Sequence, residues 1–539
     1  MSGGQAQKKQ SFLQGVAVLT AATIIVKLLG FIYKVPLQNI LQERGFGYFN
    51  TAYDVYNVLL MISTTGLPVA VSRMISQAQA LDNYAQIRKI YSVSMKVFLT
   101  IGVVGTLIML VFCRQLSVMV TTNENSWAAI AALSPCVLLI CIVSAHRGFF
   151  QGQSNMTPTS VSQVYEAMIR VIFGLGGAYL MLKKTGSLIY AAAGGIFGVT
   201  AGCIVAVVYL RIQFGKSNQI LRQGGGEAKS TRQTMKELLV IAIPITLSAS
   251  MVSIITLIDT SLVQGQLQNA LGYTLKETRH LYGTYSSGMN LYNLPSSMMT
   301  ALTISVIPTV SASLARNDRV HTSRVINSSL RVTGLMAFPM GLGLWALAEP
   351  IMKLCYPRYD SELGGSLLAV LGIASMFVCL MLISNSILQS YGRVHVPVFT
   401  MLIGGVVKII FNYNLTAVPS INIHAAPFGT LVCFVIVSSL NLFFVYRTME
   451  DKPNYFKVFA KPLVASLVMA VCARFSYRFF AAHIALGGAT TTQIVNVGLA
   501  VVLAVIVYVA LVLALRIVTR DDLALLPKGE KLAHILHVR

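Results

Sequence analysis

Apolar segments of about 20 residues recur along the whole chain, and each has the length that crosses the hydrocarbon core of a bilayer as an α-helix. Only 11% of the 539 residues are charged, whereas soluble domains have about 25%. The sequence therefore predicts an all-α, polytopic membrane protein with about fourteen transmembrane helices. These helices are predicted at residues 14–35, 48–71, 93–113, 127–147, 160–182, 188–210, 238–262, 283–310, 328–348, 365–388, 395–416, 425–446, 458–480 and 494–516.

The basic residues indicate the orientation of these helices. The formal net charge is +23, and most of the 41 Lys and Arg residues fall in loops on one side of the membrane if the N-terminus is cytoplasmic. Cytoplasmic loops carry such an excess, so both termini are predicted to be cytoplasmic. Because the basic residues are spread over short loops and form no basic domain, membrane lipids are expected as partners and nucleic acid is not.

The longest hydrophilic stretch, residues 213–237, contains three consecutive glycines and divides the chain near its middle. Segments on its two sides match in order. Val55–Val58 corresponds to Leu291–Leu294 at an offset of 236 residues, and Arg170–Phe173 corresponds to Lys408–Phe411 at an offset of 238. Such parallel repeats are typical of transporters, whose substrate sites lie at the repeat interface.

The repeat predicts four regions along the chain. These are an N-terminal six-helix lobe at 1–212, a cytoplasmic linker at 213–237, a second six-helix lobe at 238–447, and two additional transmembrane helices with a cytoplasmic tail at 448–539.

Six charged residues are predicted near the middle of membrane spans, where each costs roughly 2.5–3.5 kcal/mol and usually faces a partner or a wet cavity. They are Lys27, Asp54, Glu166, Arg170, Asp259 and Lys408. Together they imply an aqueous cavity between the two halves. A cationic cavity suits an anionic group such as phosphate or pyrophosphate.

Alternatively, these charged side chains could form ion pairs with one another within the chain. Glu166 and Arg170 are four residues apart on one helix face and could neutralise each other, and Lys27 could pair with Asp54 across the first two spans. Lys408 is predicted to be unpaired, because glycines stand four and three residues before it. The candidate substrate-binding residues are Lys27, Asp54, Asn57, Arg170 and Lys408.

No spacing of residues indicates an enzyme. Neither a Ser/His/Asp arrangement nor a metal-ligand pattern is present among the charged residues, so catalysis is not expected. The eight cysteines are scattered, mostly in apolar runs, and form no CxxC pair. A metal site, a disulfide framework and a cofactor are therefore not predicted.

Three stretches carry a resemblance to a known family: Lys27–Phe31, Gly66–Arg73 and Gln389–Pro397. With the arrangement of six, six and two spans, the chain resembles the multidrug/oligosaccharidyl-lipid/polysaccharide exporter superfamily. The nearer branch contains stage V sporulation protein B, the polysaccharide biosynthesis proteins and the MurJ-type lipid II flippases. The resemblance implies a protein of the bacterial cytoplasmic membrane that flips an undecaprenyl-pyrophosphate-linked saccharide, as in peptidoglycan or polysaccharide biosynthesis, by alternating access. A monomer is expected, although the sequence does not reveal the oligomeric state.

The resemblance also implies roles for individual residues. Lys27 falls where the MurJ-type flippases carry a cavity arginine, whereas Tyr33, Leu60 and Asn290 replace other such arginines and favour the sporulation-protein branch. Coupling to Na⁺ or H⁺ is implied as well. The residues that correspond to the family's sodium site are Asp259, Asn412, Thr416 and Thr430, with Thr416 standing where a second acid is expected.

Two other functions remain open at this point. The first is a cation-coupled multidrug exporter of the same superfamily, in which Asp54 and Asp259 would bind the cation or the drug. The second is a non-transporting scaffold for envelope assembly, which would have no use for charges within the membrane.

Overall fold

The computed structural model describes residues 12–121, 124–223, 225–357, 360–484 and 488–517, and these residues contain sixteen α-helices and no β-strand. The helices are α1 (Phe12–Thr64), α2 (Gly66–Ala80), α3 (Tyr84–Val111), α4 (Cys113–Thr121), α5 (Trp127–Gly152), α6 (Thr157–Thr185), α7 (Leu188–Gln223), α8 (Thr231–Asn269), α9 (Leu275–Ala315), α10 (Arg319–Ala346), α11 (Ala348–Cys355), α12 (Ser361–Ser390), α13 (His395–Thr416), α14 (Ala425–Thr448), α15 (Tyr455–His483) and α16 (Ala489–Ala514).

Twelve helical segments of the described chain are long and apolar enough to cross a membrane. The number rises to thirteen if α10 and α11, which meet at an angle of 77°, form one broken span. The all-α, polytopic class is therefore confirmed. The span predicted at 48–71 does not coincide with one helix, since it covers the end of α1 and the beginning of α2.

Helix α1 turns back on itself. Tyr33 and Phe49 would lie about 24 Å apart along a straight helix, yet their ring centroids are 6.1 Å apart. The chain must therefore bend sharply between these two residues, which agrees with the separate spans that the sequence predicts at 14–35 and 48–71.

The residues group into two compact units. The first unit comprises Met1–Ala249 and Ile307–Asp318, and the second comprises Ser250–Val306 and Arg319–Arg539. Each has its own apolar cores among the described residues. The lobe boundaries predicted from the sequence remain predictions.

Small residues bring the helices of the first unit into close contact. Gly177 on α6 lies against Gly194 on α7, and Gly174 lies against Gly198, so that a Cβ atom at any of these positions would overlap the facing backbone. Close approach at small residues is a usual source of helix association in membranes. The register of the two pairs shows that α6 and α7 are antiparallel.

The segment after α7 is held by the turn between α2 and α3, within the first unit. Asn83 donates its side-chain N–H to the carbonyl of Glu227 over 2.8 Å, and the backbone N–H of Lys229 donates to Gln86 Oε1 over 2.8 Å. Gly226 has a φ of +117°, and a Cβ atom there would meet the Asn83 side chain. The described part of the predicted linker is thus packed against the first unit.

Candidate functional site

An ionic cluster lies among the helices of the first unit. Glu166 on α6 forms ion pairs with Arg170 of the same helix, at 2.7 Å, and with Arg147 of α5, at 3.0 Å. Arg147 also donates through its Nε to Ser162 Oγ over 3.0 Å. We call these four residues the Glu166 cluster. The pairing of Glu166 with Arg170 that the sequence allowed is present.

The Glu166 cluster carries a net positive charge. Its two guanidinium groups share a single carboxylate, with Arg170 at Oε1 of Glu166 and Arg147 at Oε2. The Nε of Arg170 is buried and finds no hydrogen-bond acceptor within the described chain. A buried donor without an acceptor is costly, so the cluster has the charge and the free donor to receive an anionic group.

Close packing of α6 on α7 positions this cluster. Gly202 of α7 lies against the backbone carbonyl of Glu166, and Gly198 lies close to the carbonyl of Arg170. Side chains at these glycines would separate the helices at the level of the ion pairs. Arg147 is the last residue of the span predicted at 127–147, and no local sequence pattern links it to Glu166 because the two residues lie on different helices.

Lys27 lies at nearly the same depth in the first unit as Arg170. Leu37 contacts Gly195, and Gly45 contacts Leu188, so the part of α1 before its bend is antiparallel to α7 and hence parallel to α6.

Tyr33 on α1 meets Gly174 on α6. Lys27 precedes Tyr33 by six residues and Arg170 precedes Gly174 by four, which places the two cations within about 5 Å of the same level. The Lys27 side chain is exposed.

The other residues singled out in the first half have different surroundings. Asn57 is exposed on α1, and the side chain of Asp54 lies outside the described residues, so the pairing of Asp54 with Lys27 stays a prediction. Tyr33, which replaces a family arginine, is buried and donates its hydroxyl to the carbonyl of Gly195 over 2.9 Å.

A second ionic cluster lies in the second unit. The Nζ of Lys408, on α13, is 2.9 Å from Oδ2 of Asp259, on α8, and both side chains are 6% exposed. Asn412, one turn after Lys408, donates its amide to the other carboxylate oxygen of Asp259. Thr416 and Thr430 are buried nearby on α13 and α14. We call these five residues the Asp259 cluster.

The ion pair corrects the expectation that Lys408 is unpaired. The expectation rested on the absence of an acid on the same helix, where residues three and four positions apart are neighbours. The partner is instead on α8. Gly405 permits it, because α8 comes so close at this point that a Cβ atom on Gly405 would overlap the Ile255 side chain. One turn further along both helices, Lys408 faces Asp259.

Gly429 on α14 makes room for Asn412, since a Cβ atom there would overlap the Asn412 amide oxygen. We expect Gly429→Ala to displace Asn412 from Asp259 and to destabilise the protein by about 1–3 kcal/mol. Thermal unfolding of the purified protein measures the effect. Gly498→Ala is the matched control, because Gly498 also lies within a helix, α16, and a Cβ atom there meets nothing within 4 Å. Equal stability of Gly429→Ala and the unmodified protein would contradict the assigned packing.

The Asp259 cluster does not fit a bound metal cation. Hard cations require oxygen ligands, but both carboxylate oxygens of Asp259 accept from nitrogen donors, the ammonium of Lys408 and the amide of Asn412. The Thr430 hydroxyl donates to the carbonyl of Ala426 over 2.9 Å. The described residues also contain no group of three or more His, Cys, Asp or Glu side chains that could hold a metal.

Comparison with known families gives two matches. Residues 12–314 match the family model described as polysaccharide biosynthesis protein, and residues 244–414 match the MatE model.

Three proteins of Bacillus subtilis (strain 168) are similar over most of their length. The uncharacterized membrane protein YabM is 26% identical, over 99% of this chain and 98% of its own. Stage V sporulation protein B is 24% identical, over 96% of this chain and 98% of its own. The lipid II flippase MurJ is 26% identical, over 85% of this chain and 86% of its own.

The fold is also similar to that of a multidrug resistance MATE family transporter of the MOP superfamily, solved in an outward-facing conformation. The two structures superpose with a TM-score of 0.70 at 11% sequence identity, over 83% of this chain and 99% of the other. At this identity the similarity concerns the fold alone.

Proposed function

The chain belongs to the polysaccharide biosynthesis protein family, within the multidrug/oligosaccharidyl-lipid/polysaccharide exporter superfamily of transporters, and we propose that it flips an undecaprenyl-pyrophosphate-linked saccharide across the bacterial cytoplasmic membrane by alternating access. Both termini would be cytoplasmic, and the cargo would be a precursor of cell-wall peptidoglycan or of another polysaccharide. The similarity to the lipid II flippase MurJ supports this class of cargo.

The single observation that carries the proposal is the net positive charge of the Glu166 cluster. A pyrophosphate group carries several acceptor oxygens and negative charge, and arginine binds such groups through paired hydrogen bonds. Glu166 keeps Arg147 and Arg170 in place while it neutralises only one of them. The guanidinium of Arg170, whose side chain is 22% exposed, would donate to a pyrophosphate oxygen.

Lys27 would add a second contact with the anionic group. Its exposed side chain lies at the level of Arg170 on the neighbouring helix, as the helix registers indicate. A lysine supplies a point charge without the geometric demands of arginine. These residues would then recognise the cargo mainly through its pyrophosphate and less through its sugar.

A cation-coupled multidrug exporter is the second candidate, because residues 244–414 match the MatE model. That function would use Asp259 as a carboxylate for a cation or a cationic drug. In the structure Asp259 is already neutralised by Lys408. The ion pair therefore favours the anionic cargo over a cationic one.

Ligand binding to the purified full-length protein separates the two candidates. We expect undecaprenyl pyrophosphate to bind at least about tenfold more tightly than undecaprenol, which has the same lipid tail but no charge. The cationic dye ethidium should not compete with it. Equal binding of the two lipids, together with tight binding of ethidium, would refute the lipid-linked cargo and support the multidrug exporter.

A further inference from the structure

The ammonium of Lys408 occupies the position that a dissociable cation would take beside Asp259. It lies 2.9 Å from Oδ2, within an almost fully buried pair. We infer that Lys408 is a built-in cation of the second unit, which replaces a bound sodium ion and makes the protein independent of Na⁺. This inference concerns the ion requirement and does not depend on the identity of the cargo.

The helix packing brings Lys408 to Asp259 at a defined register. Ile255 and Asp259 on α8 face Gly405 and Lys408 on α13, so the two helices run in the same direction here. Gly404 of α13 packs equally closely against Val437 of α14. The α13 backbone is held by both neighbours, so the ammonium is fixed at the carboxylate.

Two side-chain oxygen atoms on α13, one and two turns after Lys408, have no hydrogen-bond partner among the described residues. They are Oδ1 of Asn412 and Oγ1 of Thr416, both buried and both without a donor among the described residues. Buried polar atoms are usually satisfied, so these two require an explanation. Like the carboxylate of Asp259, they are oxygen atoms of the kind that hard cations prefer as ligands.

The unused oxygens distinguish a built-in cation from an ordinary structural ion pair. If Lys408 fills a cation position, shortening its side chain leaves the carboxylate, the two free oxygens and an open volume that Na⁺ can enter. If the pair is merely structural, the shortened variant has an unpaired carboxylate and no affinity for Na⁺ over other monovalent cations.

The test measures thermal unfolding of the purified full-length protein in NaCl and in choline chloride of equal ionic strength. The unmodified protein should show no difference between the two salts. Lys408→Ala should be less stable in choline and should gain about 3 °C or more in apparent melting temperature when Na⁺ is present. Binding of ²²Na⁺ to the same samples provides a second readout.

Two further variants serve as controls. Lys408→Met removes the charge but fills the volume with an apolar chain, so Na⁺ should not stabilise it. Lys408→Ala combined with Asp259→Asn lacks the carboxylate and should also lose the response. Stabilisation of the unmodified protein by Na⁺, abolished by Asp259→Asn, would overturn the inference. A Lys408→Ala variant that folds but binds no Na⁺ would also overturn the inference. If that variant fails to fold, the comparison of the two salts on the unmodified protein decides the question.

Discussion

Asp259→Asn is expected to destabilise the protein by about 3–5 kcal/mol, because it leaves the buried ammonium of Lys408 without a counter-ion. Both members of the pair are almost inaccessible to water, so solvent cannot replace the lost carboxylate. The asparagine retains the shape of the side chain but removes its charge, and its NH2 group replaces one of the two oxygens that accept from Lys408 and Asn412. Unfolding of the purified protein by heat or denaturant measures the loss.

A double variant provides the matched control for this prediction. Replacing Asp259 by leucine and Lys408 by methionine removes both charges at once, and such apolar replacements of buried pairs are often neutral or stabilising. The double variant should therefore be more stable than Asp259→Asn. If Asp259→Asn alone unfolded like the unmodified protein, Lys408 would not depend on Asp259 for its counter-charge.

Arg170→Ala is expected to slow transport of a lipid-linked pyrophosphate by roughly 10- to 100-fold, since a hydrogen bond to a charged group contributes about 1.5–3 kcal/mol. The fold should tolerate the change, because Arg147 still neutralises Glu166 at 3.0 Å. The rate of appearance of a fluorescent lipid-linked saccharide in the opposite leaflet of proteoliposomes measures the effect.

Two variants separate a loss of recognition from a loss of structure. Arg170→Lys keeps the charge without the planar donor group and should give an intermediate rate. Arg232→Ala removes an exposed arginine at the beginning of α8 and should leave the rate unchanged. An unaltered rate for Arg170→Ala would show that the Glu166 cluster does not contact the cargo.

The sequence was sufficient for the fold class, because the length and apolarity of a membrane helix are local properties of the chain. The prediction for 48–71 was less accurate. There the chain passes from α1 to α2 across Thr65, and composition alone does not mark such a junction. The bend in α10–α11, at 77°, was likewise not apparent from hydropathy.

The two ionic clusters show which site contacts a sequence can predict. The pairing of Glu166 with Arg170 follows from helix periodicity, whereas that of Asp259 with Lys408 requires the packing of α8 on α13. The sequence shows only that the glycines at 404 and 405 carry no charge that could neutralise Lys408. Their structural role is to let the neighbouring helices approach, which is how Lys408 reaches an acid that is distant in the chain.

Transport of a lipid-linked saccharide by the unmodified protein tests the central claim most directly. Liposomes containing the purified protein and a fluorescent undecaprenyl-pyrophosphate disaccharide are treated with dithionite, which quenches only the outer leaflet. We predict that fluorescence initially in the inner leaflet becomes accessible to the reagent with time, as it does not in protein-free liposomes. Identical protection of the inner leaflet in the two preparations would contradict the proposed function.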